Sequence, residues 1–172
     1  NYFRSGQDAE ALLNSMMNNV RVAENSDMLH IAAGLKVDNV VSDYRGTPIY
    51  RARQLAPVSY FRSNWRNYYA AINDADVMLD NAYRFPMSEE IVNIYRLQAY
   101  FVKGLCYFWL ARAWGEVPIV PDSESIEIKL AKSSVTEVLE EATKWALKAM
   151  DLPKYEDLKD YAGNKRTTKQ YG

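Results

Sequence analysis

The chain has 172 residues, of which 48% are hydrophobic and 25% charged, with a net charge of -1. A chain of this length folds as one domain and buries about 70% of its extended surface, so its core needs no disulfides. The balance of 21 basic against 22 acidic residues gives no electrostatic footprint for nucleic acid, and one Cys and one His build neither a structural zinc site nor a disulfide. Aromatic content is what stands out, with 13 Tyr, 4 Trp and 5 Phe.

Four segments have helical periodicity and none has a long run of strict alternation, so the sequence predicts an all-α fold. The first helix begins after Ser5, whose hydroxyl caps it while Asp8 favours the dipole, and it ends near Arg21. Ala9, Leu13, Met16, Met17 and Val20 form its apolar stripe. From Glu24 to Arg62 the pattern weakens into a long irregular stretch containing the turn-forming cluster Ser42 to Pro48.

A second helix, about Arg62 to Tyr83, carries Trp65, Tyr68, Tyr69, Ile72, Ala75, Leu79 and Ala82 at three- and four-residue spacing. Phe85-Pro86 ends it, and Ser88 starts a third helix, about Glu89 to Trp114. The short break predicts antiparallel packing. The third helix is apolar on nearly every side from Ala99 to Ala113, which predicts burial among several neighbours. Interrupted by Lys103 and Arg112, its apolar run is too short to span a bilayer. Gly115 stops it. After a loop through Asp122 to Lys132, Ser134-Val135-Thr136-Glu137 forms a capping box for a fourth helix, whose stripe is Val138, Leu139, Ala142, Trp145, Ala146, Ala149 and Met150. The last twenty residues are polar.

Catalytic chemistry finds little support. His30 is the lone imidazole, with no Gly-x-Ser-x-Gly turn to present a nucleophile, and a structural or surface role is the simpler reading. Carboxylate pairs for glycosidic chemistry are conceivable among Asp74, Asp76, Asp80, Glu89 and Glu90, but these read as a solvated helix face. Cys106 lies in the most apolar helix and reads as a packed thiol. With 7 Gly, the chain has no phosphate-binding or dinucleotide loop.

The aromatic residues divide into two sets. Trp65, Tyr69, Phe101, Phe108, Trp109 and Trp145 fall on helix stripes and are expected in the core. Tyr44, Tyr50, Tyr60 and Phe61 occur in the irregular stretch among Asp38, Asn39, Asp43, Arg45, Arg51, Arg53 and Arg62. That mixture suits a sugar, whose C–H face packs on an aromatic plane while its hydroxyls pair with donors and acceptors. The competing reading is that these residues pin a long connection to the helices.

The ordered landmarks then resemble a known family. Trp65 to Asp76 resembles its Trp-x-x-x-Tyr-x-x-Ile-x-x-Ala-Asn helix. Gln98 to Leu110, followed by Trp114-Gly115-Glu116-Val117-Pro118-Ile119-Val120, is similar to its Ala-x-x-x-x-x-Arg-Ala-x-x-Tyr-x-x-Leu and Gly-Asp-Val-Pro-Leu signature, with Lys103-Gly104 in place of Arg-Ala. Ser134 to Val138 and Arg166-Thr167-Thr168-Lys169 match the next two landmarks. The family is the SusD/RagB-like outer-membrane nutrient-binding lipoproteins.

The resemblance implies tetratricopeptide-like antiparallel helix pairs with a long irregular loop region, and a protein that binds oligosaccharides without cleaving them and without a metal or cofactor. It implies a SusC-like TonB-dependent transporter as partner and an N-terminal lipid, outside these residues, holding the protein on the extracellular face of the outer membrane. Ligand contacts are expected at Asp43, Tyr44, Arg45, Tyr50, Arg51 and Tyr60. Residues 1–172 are expected to be the N-terminal portion of a longer polypeptide, because the fourth helix has no downstream mate to cover its outer face. Alternatives are peptide capture within the same family, a helical-repeat interaction scaffold, and a small hydrolase using His30 or a carboxylate pair.

Overall fold

The computed structural model describes residues 3–24, 62–121 and 130–166. These are 71% helical, in four α-helices: α1 (Gly6–Glu24), α2 (Arg62–Asn81), α3 (Glu89–Trp114) and α4 (Val135–Lys148). Short 3-10 turns follow α2 (Ala82–Arg84) and lie near the C-terminus (Tyr155–Asp157).

Helices α1, α3 and α4 start where local chemistry satisfies their free N–H groups. The Asp8 N–H donates to Ser5 Oγ at 3.2 Å, and the N–H groups of Arg4 and Ser5 donate to Asp8 Oδ2 at 2.9 Å each. Ser88 Oγ accepts from the Ile91 N–H. Ser134 and Glu137 cap each other reciprocally, with Ser134 N–H 2.7 Å from Glu137 Oε2. At the other end of α3, the Gly115 N–H donates to Ala111 O at 2.9 Å, and Gly115 adopts φ 77°, a conformation that disfavours any side chain.

The helices pack in sequence order, α1 on α2, α2 on α3 and α3 on α4, with a smaller contact between α1 and α3. Every consecutive pair runs antiparallel, because the end of one helix meets the start of the next. Asn64 Nδ2 donates to Ala23 O at 2.7 Å, Trp65 packs edge-on against Trp114 at 5.5 Å, and Tyr100 stacks on Trp145 at 5.6 Å. This is the tetratricopeptide-like pairing expected of the sequence, in which helices bury their stripes only by stacking on neighbours.

The core runs through the stack: Leu13 and Met16 from α1, Tyr68, Ile72 and Met78 from α2, Tyr95, Val102, Cys106, Tyr107 and Leu110 from α3, and Val138 and Trp145 from α4. Burying one such aliphatic side chain contributes about 1.5–3 kcal/mol. Cys106 is fully buried, and burial, then the charge of Glu24, pushes its thiol far above its ordinary range, so it packs as a small apolar group.

Two expectations are corrected. Helix α3 is not enclosed on all sides: Phe101 is 45% exposed and Phe108 39%, with Arg112 lying 5.4 Å from the Phe108 ring centroid. The neighbouring helices take the other sides of α3 and leave this one open. Nor are Asp74 and Asp76 a solvated face. Asp74 Oδ2 accepts from Ser15 Oγ at 2.8 Å and Asn19 Nδ2 at 3.0 Å, joining α2 to α1, and Asp76 pairs with the buried Lys103. Asp80 alone of the three is exposed.

Downstream of α4, residues 155–166 strap back over the starts of α1 and α3. Arg166 forms a two-pronged ion pair with Glu10, at 2.6 and 2.8 Å, and donates to Tyr95 Oη and to Lys159 O. Tyr95 in turn donates to Glu10.

Candidate functional site

The start of α2 places Arg62, Trp65, Arg66 and Tyr69 at i, i+3, i+4 and i+7, one stripe along the helix. With Ser63 they line a groove of about 660 Å³. Trp65 and Tyr69 are half-buried, whereas Arg62, Ser63 and Arg66 are exposed. The aromatic wall is rigid. Trp65 packs against Tyr69 at 5.0 Å and edge-on against Trp114, and both rings also abut the core.

Tyr69 is locked further by its hydroxyl, which donates to Pro118 O at 2.7 Å. Burial pushes its phenol well above the ordinary value, so it stays a protonated donor. Next to it, the Val120 N–H donates to Tyr107 Oη at 3.0 Å. These two phenols hold the segment after Gly115 against α2 and α3. The Ser133 N–H then donates to Val117 O at 3.0 Å, bringing the chain back to the capping box of α4.

The sequence assigned Trp65 and Tyr69 to the core. They do pack on it, but they also present a face to the groove, which helical spacing alone does not reveal. Asp43, Tyr44, Arg45, Tyr50, Arg51 and Tyr60 lie outside the described residues, as does His30. Tyr60 precedes Arg62 by two positions, so the expected ligand residues lead in sequence directly into the groove-lining helix.

A second groove, of about 460 Å³, follows the outer side of α4 between Thr136, Leu139, Glu140, Thr143, Lys144 and Leu147. Two apolar side chains stand in it, Leu139 at 38% and Leu147 at 61% exposed, and Met150, just past the end of the helix, is 75% exposed.

Among the described residues no group of three or more His, Cys, Asp or Glu side chains is placed to hold a metal ion. Also among them, no helix is long and apolar enough to cross a membrane. The described carboxylates named above as candidate acids and bases are engaged in packing where they are buried: Asp74 to α1 and Asp76 to Lys103.

A stack of antiparallel helix pairs that presents an aromatic and polar groove beside a helix end defines a scaffold for binding. The chain belongs to the SusD-like family, described as starch-binding and associating with the outer membrane, whose model matches residues 3–167. No curated protein and no solved structure gives a significant match.

Proposed function

We propose that the protein captures oligosaccharides at the outer surface of the outer membrane and passes them to a TonB-dependent transporter of the SusC type, without cleaving them. The groove at the start of α2 carries this reading. Its half-buried Trp65 and Tyr69 offer the flat apolar surface on which a sugar ring packs, and Arg62, Ser63 and Arg66 offer hydrogen-bonding groups at its rim. A groove made on a rigid helix, with its aromatic wall held by Trp114 and Pro118, keeps its shape when empty, which lowers the ordering cost of binding.

Asp43, Tyr44, Arg45, Tyr50, Arg51 and Tyr60 extend this site in the proposal, on the strength of their residue types and their family resemblance. A lipid on a preceding residue anchors the protein. The exposed Leu139 and Leu147 on the outer side of α4, with Met150 just beyond its end, support a further helix stacked there within a longer polypeptide.

The test is isothermal titration of the full chain with a panel of oligosaccharides and oligopeptides. Glycan binding that weakens in Trp65→Ala and in Tyr44→Ala/Tyr50→Ala, with the helical circular dichroism unchanged, supports the reading. Binding of peptides alone would assign the groove to peptide capture, and release of shorter products from any glycan would make the protein an enzyme.

A further inference from the structure

The Tyr69 ring that walls the α2 groove is fixed at its far end by the bond from its hydroxyl to Pro118 O, at 2.7 Å. That bond orients the ring only as well as Pro118 is itself held, and Pro118 lies in residues 115–121, which belong to no helix. A segment without a helical ladder is held by whatever bonds its backbone makes elsewhere. Here the carbonyl of the fully buried Val117 accepts the Ser133 N–H at 3.0 Å. The Val120 N–H donates to Tyr107 Oη, also at 3.0 Å. Pro118 thus stands between two anchored neighbours, one tied to the start of α4 and the other to α3.

Tyr107 acts on this wall from behind. It has no exposed surface, so a ligand in the groove does not touch it. Burial pushes its phenol far above the ordinary value; the Val120 N–H draws it back in part, and the nearby Tyr69 phenol adds to the rise. Both groups are therefore neutral hydroxyls. They come from adjacent helices, α2 and α3, and grip the same segment two residues apart, at Pro118 and at Val120. A wall that keeps its orientation when empty spares the ligand the cost of ordering it. Freeing Val120 loosens the carbonyl to which Tyr69 is bonded, and part of that cost returns at each binding event.

We infer that Tyr107 is a positioning residue for the α2 groove: from inside the core it holds residues 118–120 so that Pro118 O meets the Tyr69 hydroxyl and the Tyr69 ring faces the ligand. This rests on the glycan-binding reading and names a determinant of affinity at that same site.

The experiment is isothermal titration of the full chain, Tyr107→Phe, Tyr69→Phe and the double variant with maltotetraose, cellotetraose and xylotetraose. Each substitution keeps the ring and removes a hydroxyl. The expected result is about fivefold weaker binding in each single variant, the equilibrium worth of one hydrogen bond. The double variant should bind no more weakly than the weaker single one, because both hydroxyls act through one segment. Arg166→Ala, which loosens the opposite end of α1 and α3, should lower stability and leave affinity unchanged. A readout without ligand separates the inference from the glycan reading. In protein carrying 3-fluorotyrosine, the Tyr69 fluorine resonance, assigned by its loss in Tyr69→Phe, should shift or broaden in Tyr107→Phe. Wild-type affinity in Tyr107→Phe, additive losses in the double variant, an equal loss in Arg166→Ala or an unmoved Tyr69 resonance each overturns the inference while leaving glycan binding in place. Failure of the wild type to bind any of the three sugars, with the Tyr69 resonance still moved by Tyr107→Phe, overturns the glycan reading and leaves the positioning of the Tyr69 ring standing.

Discussion

The Lys103 ammonium lies 2.5 Å from Asp76 Oδ1, and only 1% of the Lys103 side chain is exposed. The same nitrogen sits 3.8 Å from the centroid of the Trp145 ring. One side chain on α3 therefore reaches α2 through charge and α4 through a cation–π contact, so three consecutive helices meet at one point. Taking two charges out of water is costly, and their attraction offsets that cost only while both are present. Lys103→Met is expected to destabilise the protein by about 3 kcal/mol in urea unfolding, because it removes the buried ammonium that Asp76 pairs with. Lys103→Met combined with Asp76→Leu should cost clearly less than the two single changes added. Strict additivity would mean the pair is not coupled.

Gly104 lets α4 come close. A Cβ placed there would stand 3.0 Å from both Ala142 O and Ala146 N, backbone atoms that cannot swing aside. Alanine is the better helix former by about 1 kcal/mol, and overpacking costs about 1–3 kcal/mol. Gly104→Ala is accordingly expected to lower stability by about 1 kcal/mol and to weaken the Tyr100–Trp145 stack, visible in near-ultraviolet circular dichroism. A stabilised variant with an unchanged aromatic signal would show that α4 has room to move.

Arg166 fixes the strap of residues 155–166 to the starts of α1 and α3 through Glu10 and Tyr95. Its side chain is 2% exposed and that of Glu10 18%, so truncating the arginine leaves a largely buried carboxylate without its cation. Arg166→Ala should cost roughly 3 kcal/mol. Limited trypsin digestion should then cut at Lys159 and Lys165 well before the helical core. Equal digestion rates in wild type and variant would show that the strap is held by its other contacts, among them Tyr161 against Gly6 and Lys159 with Glu90.

Acid should act first through the caps. The side-chain and backbone groups of Ser134 hold the Glu137 carboxyl below its ordinary value of 4.5, and hydrogen bonds from Arg4 and Ser5 hold Asp8 below 3.8. Burial pushes Asp160 up, but the hydrogen bonds it accepts from Asn164 and Ala162 outweigh this and keep it low. A group whose value is lower in the folded state stabilises fully above its unfolded value, and that stabilisation fades as pH falls through the folded one. Urea midpoints should be flat above about pH 5 and decline below it. Glu137→Gln should make the decline shallower, and superimposable pH profiles would rule out a contribution from this cap.

The sequence by itself determined the helices and where they begin. Ser5 with Asp8, Ser88, and Ser134 with Glu137 act within one turn, and Gly115 ends α3 by its own backbone freedom, so these features are readable from neighbours in the chain. Four ordered landmarks were also enough to place the chain in its family. Periodicity shows that a helix has an apolar side but not what will lie against it. On α3, where nearly every side is apolar, only the positions of α2 and α4 decided that Lys103 would be buried and that Phe101 and Phe108 would be exposed. Trp65 and Tyr69 lie on the same stripe as Arg62 and Arg66, but the sequence read the rings as core and grouped Arg62 with the polar residues of the preceding irregular stretch. Their shared groove exists because Trp114 and Pro118, about fifty residues away in sequence, hold those rings on one side and leave the other open, a consequence of how antiparallel helices stack.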